Sequence, residues 1–393
     1  MTGIEERLRD ALAAKADTVR DDGRPRHLPA PRERSSAARW WAPLAVAATI
    51  LIVVAATVVV TRTVTSPAPA VRPTPDTTAP PAEQVWPGTV HEVPAKGPGG
   101  GGFLPDVFVS DRIVVGRGFP KNRPGEIWSY DLDKRTFARI ARFKKEDVGN
   151  HPVVFGDGHL AWSSFRGRLK EVWTVPVTGG VPRRIASDRA TVTRDNMTLG
   201  IGRLAVADGT VVWSPDEGGV YRAPLKGGKA TLIDGTKGYS LVEWPWAGSP
   251  RNDSLVGDPS PRPVEHLKNV LTGERRDVVP PAGRASWTDC GVTWCFNGSE
   301  AWRRDGTGLR KLPGSAHGEL CSGRFFRLLQ ATSVEKQAIG MHDLATGRTG
   351  LLFQLSTSVS DEPAPTLHLQ DGIAWFQRER GTLVLVNLAA IGR

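Results

Sequence analysis

Cysteine is scarce, three residues in 393, and none lies before Cys290. The amino-terminal tail therefore lacks the thiols for the His/Cys zinc site that zinc-type anti-sigma domains carry. The three that exist allow one disulfide and leave a thiol over. The common catalytic signatures are missing as well: there is no G-x-S-x-G, no H-E-x-x-H, no P-loop and no G-x-G-x-x-G opening a helix. No catalytic residue, metal ligand or cofactor is expected on that basis, and the chain reads as a non-enzyme. Basic residues are scattered rather than clustered with aromatics, which argues against a nucleic-acid surface. Long apolar runs are also absent, with one exception.

That exception is Trp40 to Thr61, which holds no ionisable residue and is built mostly of Ala, Val, Ile and Leu. Some 22 helical residues rise about 33 Å, the thickness of a bilayer's hydrocarbon core. A buried soluble helix of that length would show a polar face, and this one shows none. Residues 40–61 are therefore predicted to be a single transmembrane helix, with Trp40 and Trp41 in the headgroup zone. Arg26, Arg32, Arg34 and Arg39 precede it, while only Arg62 and Arg72 follow at similar distance. That asymmetry places the amino terminus in the cytoplasm and the carboxyl-terminal part outside the cell. A cleaved signal peptide is the rival, with Ala68-Pro69-Ala70 as its cleavage site, but signal cores are shorter.

Residues 1–39 form a cytoplasmic tail. Thr2 and Glu5 have capping-box spacing, and Ile4, Leu8, Ala11 and Leu12 recur at helical intervals, predicting a short amphipathic helix over 3–17. Residues 62–85 carry repeated Pro among Thr and Ala and read as a semi-rigid linker. The net charge of +10 falls mainly beyond them: residues 1–84 hold 11 Lys or Arg against 9 Asp or Glu, the remainder 40 against 32. Such a surplus suits contact with anionic headgroups or acidic cell-wall polymers, besides ordinary solubility.

From Trp86 to Arg393 the chain repeats itself. Thirteen Trp against three Tyr is an unusual ratio, and the Trp residues recur at fixed places. Asp157-Gly158 runs to Trp162 and is followed by Val172-Trp173-Thr174-Val175. Asp208-Gly209 runs to Trp213 before Val220-Tyr221-Arg222, and Asp371-Gly372 runs to Trp375 before Leu383 to Val386. Units starting near 111, 157, 208, about 250, 290, 322 and 371 lie on average about 43 residues apart, the period of a β-propeller. A lone four-stranded sheet cannot bury both faces, whereas radial stacking buries them all. The expected fold is all-β, about seven blades of four-stranded antiparallel sheet. Six or eight are the neighbouring counts, because the unit around Trp244 to Val264 is degenerate. The last unit lacks a fourth strand, and Thr89 to Val93 is predicted to supply it and lock the ring.

"EVWTVPVTGGVPRRI" from Glu171 and "VVWSPDEGGVYRAPLKGGKATLI" from Val211 resemble the repeats of TolB-like and related WD-type β-propellers. The layout as a whole is similar to actinobacterial single-pass membrane proteins with an extracytoplasmic TolB-like propeller. The resemblance implies a protein-binding platform. It says little of activity, since propellers host many.

Few residues invite a chemical role. Asp131 and Asp133 lack the rest of a calcium loop and read as a turn. His151 and His159 read as surface imidazoles. Thr272-Gly273-Glu274 and Thr346-Gly347-Arg348 resemble turns of quinoprotein propellers, which also occur without cofactor. A straight strand would hold Cys290 and Cys295 about 16 Å apart, so they pair only across a turn. Their pairing is favoured, with Cys321 joining either one as the alternative.

Three functions remain in view. The preferred one is a non-catalytic module that binds a protein or an anionic wall polymer outside the membrane. The alternatives are a hydrolase or lyase with carboxylates or His at a funnel mouth, and a signal relay through the amino-terminal helix.

Overall fold

The computed structural model describes residues 79–119, 125–143, 152–192, 199–249, 264–284, 287–331, 336–356, 365–379 and 381–392. The helix predicted over 3–17, the span over 40–61 and the linker to residue 78 lie outside the described residues. No helix among the described residues is long and apolar enough to cross a membrane.

Seven four-stranded antiparallel sheets make up the ring. Their innermost strands are β2 (Gly102–Ser110), β6 (Val154–Gly156), β10 (Ile201–Ala207), β14 (Ser240–Glu243), β18 (Asp289–Cys290), β22 (Ser315–Cys321) and β26 (His368–Gln370). Each opens a blade, numbered 1 to 7 in that order. Six blades are contiguous in the chain. Blade 7 has only three strands of its own, ending in β28 (Thr382–Asn387), and β1 (Val90–Pro94) pairs with β28 from Val90↔Val386 to Pro94↔Thr382. The predicted closure by Thr89 to Val93 is therefore observed, one residue later.

Seven apolar clusters fill the seven gaps between neighbouring blades. Trp162 and Trp173 pack with Val115 and Ile127 between blades 1 and 2, and Trp213 packs with Val172 and Ile185 between blades 2 and 3. Trp375 meets Phe103 and Tyr130 across the closing joint of blades 7 and 1. An indole that is wide and flat suits a wedge between two twisted sheets. The other joints are filled around Leu241, Trp302, Phe326 and Phe376.

The turns between first and second strands explain the Asp-Gly signature. Asp157-Gly158, Asp208-Gly209 and Ser322-Gly323 all have positive φ at both residues, from 47° to 71°. In blades 2 and 3 that is the geometry of a two-residue hairpin turn that matches strand twist, and it favours Asp or Asn followed by Gly, whereas in blade 6 the loop has three residues, Ser322 to Arg324, between the paired Cys321 and Phe325. Blade 4 departs from it. Its turn is Trp244-Pro245 with a cis peptide bond, so the unit placed near 250 begins earlier than its sequence suggested.

A further departure lies at the amino-terminal edge. Ala82–Val85 form a short helix, α1, and Ala82, Val85 and Trp86 are almost fully buried against blades 6 and 7. Leu351 N–H donates to Pro80 C=O at 2.9 Å. Folded structure thus starts by Pro80, inside the span assigned to the linker, because these small and apolar residues meet a face that Gly350 leaves open. A Cβ at Gly350 would lie 2.6 Å from the Trp86 ring.

Candidate functional site

The innermost strands of six blades enclose a channel of about 820 Å³ on the ring axis. Apolar residues of the innermost strands, among them Val107, Val154, Leu204, Ala205 and Leu369, share the wall with Asp106, Arg203, Glu243, Ser322, Arg327, Gln370 and Asp371. A side chamber of about 90 Å³ opens between blades 4, 5 and 6 and shares Arg203, Leu241, Val242, Glu243, Leu320 and Asp371 with the channel.

Charged groups on the wall come from separate blades. Asp106 on β2 is 1% exposed and takes both forks of Arg117, at 2.8 and 2.9 Å. It also accepts from the Val153 backbone of blade 2 and the Gln370 side chain of blade 7, joining three blades. Burial nevertheless pushes its carboxyl up to about 6, because removal from water outweighs the Arg117 charge.

Arg203, Glu243 and Asp371 meet at the end of the channel where first strands turn into second strands. Arg203 Nη1 donates to Val242 C=O at 2.9 Å and to Asp371 Oδ2 at 3.4 Å. Asp371 Oδ1 accepts from Ser322 N–H at 3.3 Å. Glu243 has no hydrogen-bond partner among the described residues, and it is exposed. Burial raises its carboxyl above the ordinary range, the Asp371 charge adds to that, and Arg203 opposes it. Asp289, in the side chamber, is satisfied by the N–H groups of Cys290 and Leu320, both at 2.8 Å.

The turn aspartates do more than shape their own turns. Asp157 Oδ2 accepts from Gly209 N–H at 2.8 Å, and Asp208 Oδ2 from Trp244 Nε1 at 3.2 Å, each in the next blade. Ser322 Oγ, at the equivalent turn, accepts from Gly372 N–H at 2.7 Å. Blade is thus tied to blade around the channel mouth. Asp131 instead caps its own turn, as the sequence suggested, its Oδ1 accepting from the N–H groups of Asp133 and Lys134.

Asp133 pairs with Arg112, and His159 Nδ1 lies 2.9 Å from Asp157 C=O within its own turn. His151 lies outside the described residues. Thr272-Gly273-Glu274 and Thr346-Gly347-Arg348 sit in turns between third and fourth strands, away from the axis, capped by Asn269 and Asp343 respectively. Among the described residues no group of three or more His, Cys, Asp or Glu is placed to hold a metal ion.

Cys290 and Cys295 stand directly opposite each other across a hairpin and form a disulfide, with Cα atoms 4.1 Å apart. Cys321 is free and buried, and its Sγ donates to Gln370 C=O at 2.7 Å. Burial pushes its thiol up to about 12, so it is a packing residue in the channel wall rather than a nucleophile.

Sequence reasoning missed Arg203, Glu243 and Asp371 as a group. Asp371 was visible as a turn residue, but nothing in a linear repeat says which charges face the axis.

No protein-family model matches the chain, and no curated protein matches it. Solved structures with similar folds include TolB from Acinetobacter baumannii, at 12% identity over 64% of this chain and 56% of that one, with a TM-score of 0.31. BamB from Moraxella catarrhalis gives 12% identity, 73% and 86% coverage and a TM-score of 0.37. YCF48 bound to D1 peptide gives 10% identity, 80% and 100% coverage and 0.44. The chain thus spans little more than half of the TolB structure's length. At these values the likeness extends to fold alone, and the propeller assignment stands on the seven sheets themselves.

Proposed function

We propose that the chain is a membrane-anchored binding module: residues 40–61 hold a propeller outside the cell, and the axial channel receives a segment of a partner protein without transforming it. The observation that carries this is the channel itself. About 820 Å³ walled by apolar residues interspersed with polar and charged ones from several blades is the make-up of a site that gains affinity from apolar burial and orientation from polar groups. Peptide binders combine the same two contributions.

The test is capture of partners from native membranes by the full-length chain and by Ala205→Trp, which puts an indole on a half-buried channel-lining position. Recovery by the parent, lost in a variant with unchanged thermal melting, supports the channel as the binding site. Equal recovery by both would move binding off the axis and refute it.

One observation favours a second function, an extracytoplasmic hydrolase or lyase. Glu243, with its raised carboxyl beside Asp371, has the protonation behaviour a general acid needs. Turnover of wall or peptide substrates by the parent, abolished in Glu243→Gln, would establish catalysis in place of binding.

A further inference from the structure

We propose that the outer joint of blades 5 and 6 holds a second site, separate from the channel, in which Arg303 and Arg310 clamp a phosphate group and the His342 imidazole donates to it. Two guanidiniums gather on one indole there: Arg310 Cζ lies 4.2 Å and Arg303 Cζ 5.2 Å from the centroid of the Trp294 ring. An aromatic face under a guanidinium holds its plane and leaves the N–H edge open to an acceptor. The two charges are close enough to oppose each other, since burial lowers the Arg310 guanidinium and Arg303 lowers it further. Among the described residues neither guanidinium is hydrogen-bonded to a carboxylate. The carboxylates whose charges reach them are engaged elsewhere. Asp343 holds Arg324 and Thr346, and Asp305 accepts from the Thr307 hydroxyl.

A buried nitrogen points the same way independently. His342 is 3% exposed, and its Nε2 has no hydrogen-bond partner. Its Nδ1 lies 2.7 Å from Thr349 Oγ. Burial, with the Arg310 charge beside it, lowers the ring to about 4, so the ring is neutral. A neutral ring that accepts from the Thr349 hydroxyl carries its hydrogen on Nε2, and a buried donor left unmet is costly. The imidazole packs beside Phe326, which stacks on Phe296 of blade 5, so it belongs to the joint that Arg310 enters. Arg310 crosses that joint to the Thr346-Gly347-Arg348 turn, where a Cβ on Gly347 would lie 3.4 Å from Arg310 Nη1. Arg348, exposed on the same turn, adds positive charge to the rim. A phosphate ester brings nearly two negative charges and three acceptor oxygens, which match two guanidiniums and one ring N–H. A carboxylate brings one charge and leaves a guanidinium unmatched.

The experiment uses the full-length chain in a phosphate-free, non-ionic detergent, with sulfate as the first probe because it has the shape and charge of phosphate without its proton. Titration calorimetry should show one sulfate bound per chain. Arg303→Gln alters an exposed side chain and should weaken sulfate about tenfold or more, the loss of a charge-assisted hydrogen bond, with melting close to the parent's. Arg310→Gln and His342→Phe should weaken it too. Arg222→Gln, at an exposed arginine of blade 3, and Ala205→Trp in the channel should not. Bound sulfate is then displaced by pentapeptides with phosphoserine, glutamate or serine at the centre, and by glycerol phosphate. A phosphate ester should displace it at about tenfold lower concentration than the glutamate peptide. The stronger of the two esters tells whether the group arrives on a protein or on a phosphorylated headgroup or polymer. Equal displacement by the glutamate peptide would overturn the assignment to phosphate. No sulfate binding, binding unchanged in Arg303→Gln, or equal weakening by Arg222→Gln would overturn the site itself. Sulfate displaced by neither ester would mean a pocket for a small free ion only, and would overturn the proposal as well.

Discussion

Replacing Trp86 by alanine should cost about 3 to 5 kcal/mol of stability, a large effect for a residue at the edge of a Pro-rich linker. Trp86 is 4% exposed, meets Phe325 edge-to-face at 6.5 Å between ring centroids, and covers the bare backbone of Gly350. Its indole NH has no partner in the structure, so the loss is one of packing and burial. An indole buries about 200 Å², worth roughly 5 kcal/mol at about 25 cal/mol per Å². The cavity lies at the joint of blades 6 and 7, next to the strand that closes the ring, and cannot collapse without shifting it. Urea unfolding of the full-length chain, followed by tryptophan fluorescence, should show a midpoint lower by about 1 M. Trp86→Phe keeps the edge contact and should lose about 1 kcal/mol. Glu83→Ala in the same strap removes a half-exposed ion pair to Arg378 at 3.6 Å and should change stability by less than about 0.5 kcal/mol. Trp86→Ala unfolding within 1 kcal/mol of the parent would refute the claim that the strap belongs to the ring's core.

Three other perturbations test separate parts of the ring. Reducing the Cys290–Cys295 bridge, or replacing both residues by serine, reopens a short loop and should lower stability by about 2 kcal/mol in chemical denaturation. Gly156→Ala places a Cβ 1.9 Å from the Val206 carbonyl oxygen across the joint of blades 2 and 3; it should cost about 3 kcal/mol or more, seen as loss of soluble expression or a sharply lowered midpoint. The pH dependence holds two opposed contributions. Burial, with Arg310 beside it, lowers His342 to about 4. Its contribution is therefore complete above pH 6.5, and about 3 kcal/mol is lost as pH falls from there toward 4. Asp106, raised to about 6 from 3.8, binds its proton first in the folded ring, so acidification across that window adds about 3 kcal/mol. The parent should show a nearly flat urea midpoint between pH 7 and 4.5. His342→Gln should gain stability on acidification and Asp106→Asn should lose it, and parallel profiles in all three would contradict these assignments.

The repeat was legible because blade physics writes itself locally. A tight hairpin turn needs positive φ at two successive residues, so Asp157-Gly158 and Asp208-Gly209 mark it, and each joint needs a large wedge, so Trp follows at a fixed distance. The closing strand was legible from what the last unit lacked. Blade 4 was blurred because Trp244-Pro245 replaces the usual turn, and blade 5 because its first and last strands are two residues long. The strap from Pro80 to Trp86 was hidden by composition, since Ala-Glu-Gln-Val after a run of Pro and Thr reads as spacer until its apolar partner, the face around Gly350, is known. The channel charges were the least legible. Arg203, Glu243 and Asp371 come from blades 3, 4 and 7, and Arg203 and Asp371 are separated by 168 positions; only closure of the circle makes them neighbours.

The strap and β1 are the first folded residues after position 79, so the place where the ring is fastened to whatever precedes it is also its clasp. A pull delivered from that side first meets the Pro80 hydrogen bond to Leu351 of blade 6, then α1 and Trp86. It then runs lengthwise along β1, whose five residue pairs with β28 share the load in shear instead of parting one by one. Parting of β1 from β28 would open the whole wheel rather than shed a single spoke.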